Sequence, residues 1–104
     1  MIYNRVKFRL IILTASAFIV GCAASAPIQE MSDARQAIAA AVDADAAQLA
    51  SALLDEAQRY LDEAEGQIRD RSFDSALTNA VRARNIAVEA LQAAEAAVIR
   101  SVDN

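Results

Sequence analysis

Residues 50–69, ASALLDEAQRYLDEAEGQIR, carry the clearest periodic pattern in the chain. Apolar residues recur there at alternating spacings of four and three, at Ala50, Leu54, Ala57, Leu61, Ala64 and Ile68. This spacing places them on one face of an α-helix. Two acids are each followed four residues later by an arginine, an arrangement that stabilises helices: Asp55 with Arg59, and Glu65 with Arg69. The segment therefore predicts an amphipathic helix that ends near Arg69, where a basic side chain suits the helix dipole.

A shorter helix is predicted before this segment. Ser32 can cap it, and the helix runs to about Val42. Its apolar face consists of Ala34, Ala37, Ile38, Ala41 and Val42. Asp45 and Gln48 then have the form of a capping box, in which the Asp45 side chain accepts from the N–H of Gln48 and the Gln48 side chain reaches back to the N–H of Asp45. The central helix is therefore predicted to start after Asp45.

A long helix is predicted after the central one. Ser72 is a suitable cap, and neither glycine nor proline interrupts residues 73–101, which would make roughly 40 Å of helix. Its apolar stripe is Phe73, Leu77, Ala80, Ala87, Leu91, Ala94 and Val98. Few residues separate it from the central helix, so the two should form an antiparallel hairpin, with Tyr60 and Phe73 among its larger contacts. The predicted fold class is all-α, a short first helix plus a long antiparallel helical hairpin.

Composition narrows the function before any motif is considered. The chain has 104 residues, enough for one domain, with two glycines, one proline, one cysteine and no histidine or tryptophan. Without histidine it lacks the commonest general base and metal ligand, and a single cysteine excludes an intramolecular disulfide. From Cys22 onward, 14 acids face seven arginines and no lysine, which argues against nucleic acid as a partner. We therefore expect no enzyme activity, no cofactor and no metal site.

The amino-terminal segment has the layout of an export signal. Three basic residues, Arg5, Lys7 and Arg9, precede an eleven-residue apolar run at residues 10–20. That length matches the apolar region of a signal peptide and falls short of the about 20 residues needed to span a bilayer. Residues 1–21 are therefore predicted to be a cleaved signal peptide. The alternative is an uncleaved N-terminal helix that holds the protein in the inner membrane.

The apolar run ends in Ile19-Val20-Gly21-Cys22, which resembles the lipobox of bacterial lipoproteins. The resemblance implies cleavage between Gly21 and Cys22, a diacylglycerol on the Cys22 thiol, and frequent acylation of the new amino terminus. Two or three acyl chains hold a protein firmly at a membrane, whereas a single chain holds it only marginally. Ala23 after the cysteine resembles lipoproteins that are sorted to the outer membrane and face the periplasm.

The lipobox divides the chain into three predicted parts. Residues 1–21 are the signal peptide, residues 22–31 a lipidated tether, and residues 32–104 the alanine-rich helical domain. The tether is small and polar, and Pro27 disfavours helix at the residue before it.

Three patterns of alanine and aromatic residues recur between residues 31 and 98: Ala34-x-x-x-Ile38, Leu53-x-x-x-Ala57-x-x-Tyr60-Leu61-x-x-Ala64, and Ser72-Phe73-x-x-Ala76. They resemble an uncharacterised alanine-rich helical family of bacterial envelope lipoproteins, some of which carry peptidoglycan-binding domains. The third pattern is similar to the glycine-aspartate-tyrosine turn of that family and of tetratricopeptide helices. Here Arg71 occupies the position of the glycine. Glycine is the residue type that adopts the left-handed conformation most readily.

These observations predict a lipid-anchored envelope lipoprotein that works as a non-enzymatic protein-interaction or structural module. Alanine buries little apolar area, and the core is small. We therefore expect the domain to gain stability from self-association or from docking on an envelope protein. A second hypothesis is non-covalent peptidoglycan binding, because guanidinium groups bind carboxylates and phosphates bidentately. The candidate residues for this contact are Arg69, Arg71, Arg82 and Arg84.

Overall fold

Four α-helices make up most of residues 25–104, the part of the chain that the computed structural model describes. They are α1 (Ile28–Asp43), α2 (Ala46–Leu49), α3 (Ser51–Arg69) and α4 (Phe73–Asp103). No strand occurs among residues 25–104, and the predicted all-α class is confirmed. The predicted signal peptide, its cleavage site at Gly21 and the lipidation site at Cys22 lie outside the described residues.

The three longer helices form an up-down-up bundle. Met31, near the start of α1, packs with Ala64 of α3 and Ala80 of α4. At the other end of the bundle, Ala44, just after α1, lines a groove with Val98 of α4. Helix α1 therefore runs parallel to α4, and α3 runs antiparallel to both. The predicted hairpin of α3 and α4 is confirmed, and α1 packs against it.

A stripe of alanines on α4 forms the centre of the core. Its six members are fully buried, at alternating spacings of four and three: Ala76, Ala80, Ala83, Ala87, Ala90 and Ala94. Both α1 and α3 pack against α4, and methyl side chains let the helix backbones approach closely. Larger side chains from α1 and α3 complete the core: Met31, Ile38 and Leu54.

The predicted apolar stripe of α4 is wrong in part. Ala80, Ala87 and Ala94 are buried as expected, but Leu77 and Val98 are 39% and 47% exposed. Alanine occurs on several faces of α4, so apolarity alone does not select one of them. The face of α4 that packs is the one with the smallest side chains. Both α1 and α3 lie against α4, and small side chains let both helices approach it closely.

Helix α1 extends further towards the amino terminus than predicted. It begins at Ile28, directly after Pro27, and not at the predicted cap Ser32. Proline is well tolerated at a helix start, where its missing N–H would be unpaired in any case. The additional turn brings Met31 into the core with 1% of its surface exposed. The last four residues of the predicted tether are therefore helical, and Val42, expected on the buried face, is exposed.

The predicted capping box of Asp45 and Gln48 is wrong. Asp45 has a φ of 62°, in the left-handed region, and its side chain makes no cap hydrogen bond. Instead the residue closes α1, because its N–H donates to the carbonyl oxygen of Val42 at 3.0 Å. Only the four-residue α2 follows, and Ala50, with a φ of −149°, separates it from α3. Aspartate tolerates the left-handed region better than most residues, which permits this sharp connection.

The turn between α3 and α4 closes with a Schellman motif. The Ser72 N–H donates to the Gln67 carbonyl oxygen at 2.8 Å, and the Arg71 N–H donates to that of Ile68 at 3.0 Å. Arg71 has a φ of 60°, so an arginine adopts the left-handed conformation that glycine usually supplies. Helix α3 ends at Arg69 and α4 follows Ser72, as predicted, although the Ser72 hydroxyl makes no cap hydrogen bond.

Candidate functional site

The four arginines predicted to contact the cell wall lie on more than one surface of the bundle. Arg69 and Arg82 line two different grooves. Arg71 is exposed in the α3–α4 turn. Arg84 donates from both Nε and Nη2 to the side-chain oxygen of Asn85, at 3.2 and 3.1 Å. The four arginines therefore do not converge on a single site.

Arg69 lies in a groove between α1 and α3, together with Arg35, Glu65 and the apolar Ile68. Glu65 was the predicted partner of Arg69, but it accepts a hydrogen bond from Nη2 of Arg35 at 3.1 Å. This ion pair joins α1 to α3. The prediction was wrong because spacing within one helix does not reveal a competing partner on another.

Tyr60 is the aromatic contact between α3 and α4. The guanidinium carbon of Arg59 lies 4.5 Å from its ring centroid, and that of Arg82, on α4, lies 5.7 Å away. Both distances permit cation–π attraction. Arg59 also donates to Glu63 at 2.9 Å, so the predicted pairing with Asp55 is wrong. The pKa of the Arg59 guanidinium is raised above its ordinary value. The polar interaction with the Tyr60 side chain is the largest cause, and the hydrogen bond to Glu63 adds to it.

A polar groove of about 340 Å³ lies between the end of α3 and the start of α4. Its lining carries amide, hydroxyl, carboxylate and guanidinium groups: Gln67, Asp74, Ser75, Thr78, Asn79 and Arg82. Within it, Nδ2 of Asn79 donates to Oε1 of Gln67 at 2.9 Å, and Asn79 is 8% exposed. This pair is not predicted from the sequence. The sequence signal that could have identified Asn79 is its position three residues after Ala76, which places it on the buried face of α4.

An apolar groove opens at the end of the bundle where α1 and α4 finish. We call it the distal groove; it measures about 480 Å³ and is lined by Ala44, Asp45, Glu95, Val98 and Ile99. Val98, Ile99 and Val102, which follow one another within a turn of α4, are 47%, 62% and 78% exposed. Contiguous exposed apolar side chains mark contact sites, whereas isolated ones do not. The sequence pattern does not reveal this groove, because the apolar spacing of α4 predicts Val98 in the core.

The first described residues lie at the opposite end of the bundle. Ser25, Ala26 and Pro27 line a groove with Phe73 and Leu77 at the start of α4. We call this the proximal end. Helix α4 has 31 residues and is therefore about 46 Å long. Most of that length separates the proximal end from the distal groove.

Residues 25–104 offer no preformed metal centre, since they contain no group of three or more side chains placed to hold an ion. None of α1 to α4 is both long and apolar enough to cross a bilayer.

Comparisons of the chain with protein-family models, curated proteins and solved structures find no match.

Proposed function

We propose that this chain is a bacterial lipoprotein, anchored by acyl chains on Cys22, whose helical bundle acts by contacting another protein of the cell envelope. It has no catalytic role in this proposal. Ile19-Val20-Gly21-Cys22 supports the anchor by its resemblance to the lipobox. Ala23, the residue after the cysteine, favours the periplasmic face of the outer membrane.

The observation that carries the proposal is the position of the distal groove relative to the predicted anchor. Cys22 precedes Ser25 by three residues, a stretch that spans at most about 11 Å. A lipid on Cys22 would therefore hold the proximal end close to the membrane surface. The distal groove would then lie about 35–40 Å along α4 from Phe73, where it is accessible to a protein in the periplasm.

The anchor is tested by the intact mass of the protein extracted from membranes. Cleavage before Cys22 predicts a chain of residues 22–104 carrying a diacylglycerol, with or without a further acyl group. A Cys22→Ser variant should retain residues 1–21 and gain no lipid. A wild-type protein that retains residues 1–21 without lipid would instead support the inner-membrane alternative.

The protein contact is tested by photo-crosslinking in intact cells. A photoreactive residue is placed in turn at four exposed positions, one on α1, one on α3 and two on α4: Gln36, Asp62, Val88 and Val98. The proposal expects a defined crosslinked product from at least one face, either with another envelope protein or with a second copy. If all four positions give only the monomer, the interaction function is wrong.

The polar groove supports a second candidate, non-covalent binding of peptidoglycan. Arg82 lies there among hydroxyl and amide groups, which are suited to sugars and peptide carboxylates. Arg82→Ala should then reduce sedimentation with purified peptidoglycan. Arg84→Ala, which removes an arginine from outside the groove, should leave sedimentation unchanged. Equal behaviour of the two variants would argue against this candidate.

A further inference from the structure

We propose that the distal groove binds a basic amphipathic segment of a partner protein. The inference rests on the proposed function, and it specifies both the surface used and the chemistry of the partner. It follows from the exposed apolar side chains of the groove and from the charges around them.

The apolar part of the surface comes from the last turns of α4. Val98 and Ile99 line the groove, and Val102 follows them by four and three residues, so the three form a continuous apolar strip. The largest exposed fraction of the three is 78%, at Val102. A strip of this kind matches the apolar face of a helix laid into the groove, as in other helix-in-groove complexes.

The polar part of the surface is acidic. Asp45 and Glu95 line the groove itself. The chain segments that make up this end, residues 42–50 and 92–104, contain four acids and one base: Asp43, Asp45, Glu95, Asp103 and Arg100. Arg100 lies two positions after Val98, about 200° round the helix, and so points away from that side chain. A partner whose apolar face is bordered by lysine or arginine would complement these acids.

The same charges disfavour the other occupants of an apolar groove. Two copies meeting groove to groove would bring Asp45 and Glu95 of one chain towards those of the other, and like charges in an interface are costly. An anionic lipid surface would be repelled in the same way. A basic amphipathic segment is the occupant that satisfies both the apolar strip and the acidic border.

The test is a titration of the membrane-extracted protein in neutral detergent micelles. The probes are two labelled amphipathic peptides, one of leucine and lysine and the other its twin with glutamate in place of lysine. Fluorescence anisotropy should detect binding of the lysine peptide alone, and the binding should weaken as salt is added. Equal binding of the glutamate peptide would overturn the proposal.

Matched variants locate the binding site. Ile99→Ser should weaken binding of the lysine peptide by about tenfold, since it truncates a central apolar contact. Ile28→Ser is the control, because Ile28 is 67% exposed against 62% for Ile99 and lies at the proximal end. Glu95→Gln should weaken binding by about threefold, whereas Glu89→Gln, outside the groove, should not. If the Ile99→Ser protein binds the lysine peptide as well as the Ile28→Ser protein does, the proposal is wrong.

Two further measurements decide between occupants. Sedimentation equilibrium of wild type and Ile99→Ser would overturn the proposal if the wild type dimerised and the variant did not. Binding to phosphatidylglycerol vesicles that Ile99→Ser abolishes would overturn it equally. In cells, crosslinks from Gln36 or Asp62 with none from Val98 would leave the proposed function standing and remove this inference alone.

Discussion

The side-chain amide of Asn79 on α4 donates a hydrogen bond to Oε1 of Gln67 on α3, over 2.9 Å. It is a polar contact beside the alanine stripe of α4, and Asn79 is the one polar residue among the buried side chains of residues 25–104. Alanine stripes fit together at several axial offsets, since their methyl groups are alike. The amide pair fits at one offset, so it selects the register of the hairpin.

Removing one member of this pair should destabilise the bundle. Asn79→Ala leaves the Gln67 oxygen partly buried without its donor, at an expected cost of about 1–3 kcal/mol in the free energy of unfolding. Replacing Asn79 and Gln67 together by leucine should cost much less, because no polar group is then left unpaired. Urea denaturation followed by circular dichroism measures both, with the exposed Asn85→Ala as control. A double variant with a lower free energy of unfolding than Asn79→Ala would contradict this explanation.

Arg71→Gly should stabilise the protein. Arg71 has a φ of 60°, a conformation that is strained by about 1 kcal/mol or more for a residue with a Cβ and free of strain for glycine. We expect a gain of about 0.5–1 kcal/mol, seen as a higher Tm. Arg69→Gly is the matched control, because it places the glycine at the last helical residue of α3, where glycine relieves no strain and should destabilise by up to about 1 kcal/mol. A lower Tm for Arg71→Gly would show that the arginine side chain itself supports the turn.

The alanine stripe should tolerate no enlargement. Ala87 is fully buried between α4 and its neighbours, so Ala87→Leu forces the helices apart and should cost about 1–3 kcal/mol or more. The adjacent Val88 is 39% exposed, and Val88→Leu should change the free energy of unfolding by less than about 0.5 kcal/mol. Equal effects of the two substitutions in thermal denaturation would mean that α4 packs through a different face.

The ion pair of Arg35 and Glu65 should contribute little, and the contribution should depend on salt. Both side chains are partly exposed, at 55% and 37%, so a double-mutant cycle should give a coupling energy of about 0.2–1 kcal/mol that falls as salt is added. The same cycle for Glu65 and Arg69, the pair predicted from sequence, should give a smaller coupling. The reverse order would contradict the observed pairing of Arg35 with Glu65.

The helices themselves could be predicted because their signals are local. The four-and-three spacing of residues 50–69 identifies α3, and the lack of glycine and proline after Phe73 identifies the long α4. Because only a short stretch separates Arg69 from Phe73, the hairpin can be predicted even though the conformation of its turn cannot. What remained hidden was the conformation of Arg71, since no sequence rule favours arginine at a positive φ.

The packing faces and the candidate site depend on contacts between helices, which one-helix patterns do not contain. In α4, alanine on several sides makes the buried face ambiguous, so Leu77 and Val98 were expected in the core and are exposed. The partner of Glu65 lies on α1, and that of Asn79 lies on α3. The distal groove exists because Asp45 turns the chain next to α4, whereas the sequence pattern predicts a helix cap at this residue.

The alanine stripe of α4 also shapes how stability varies with temperature. Methyl side chains lose no rotamer freedom on folding, so the small apolar area they bury is offset by a small entropy cost. A small buried apolar area also means a small increase in heat capacity when the helices separate. The stability curve of this bundle should therefore be broad and shallow, so that the protein keeps a modest stability in the cold as well as in the heat.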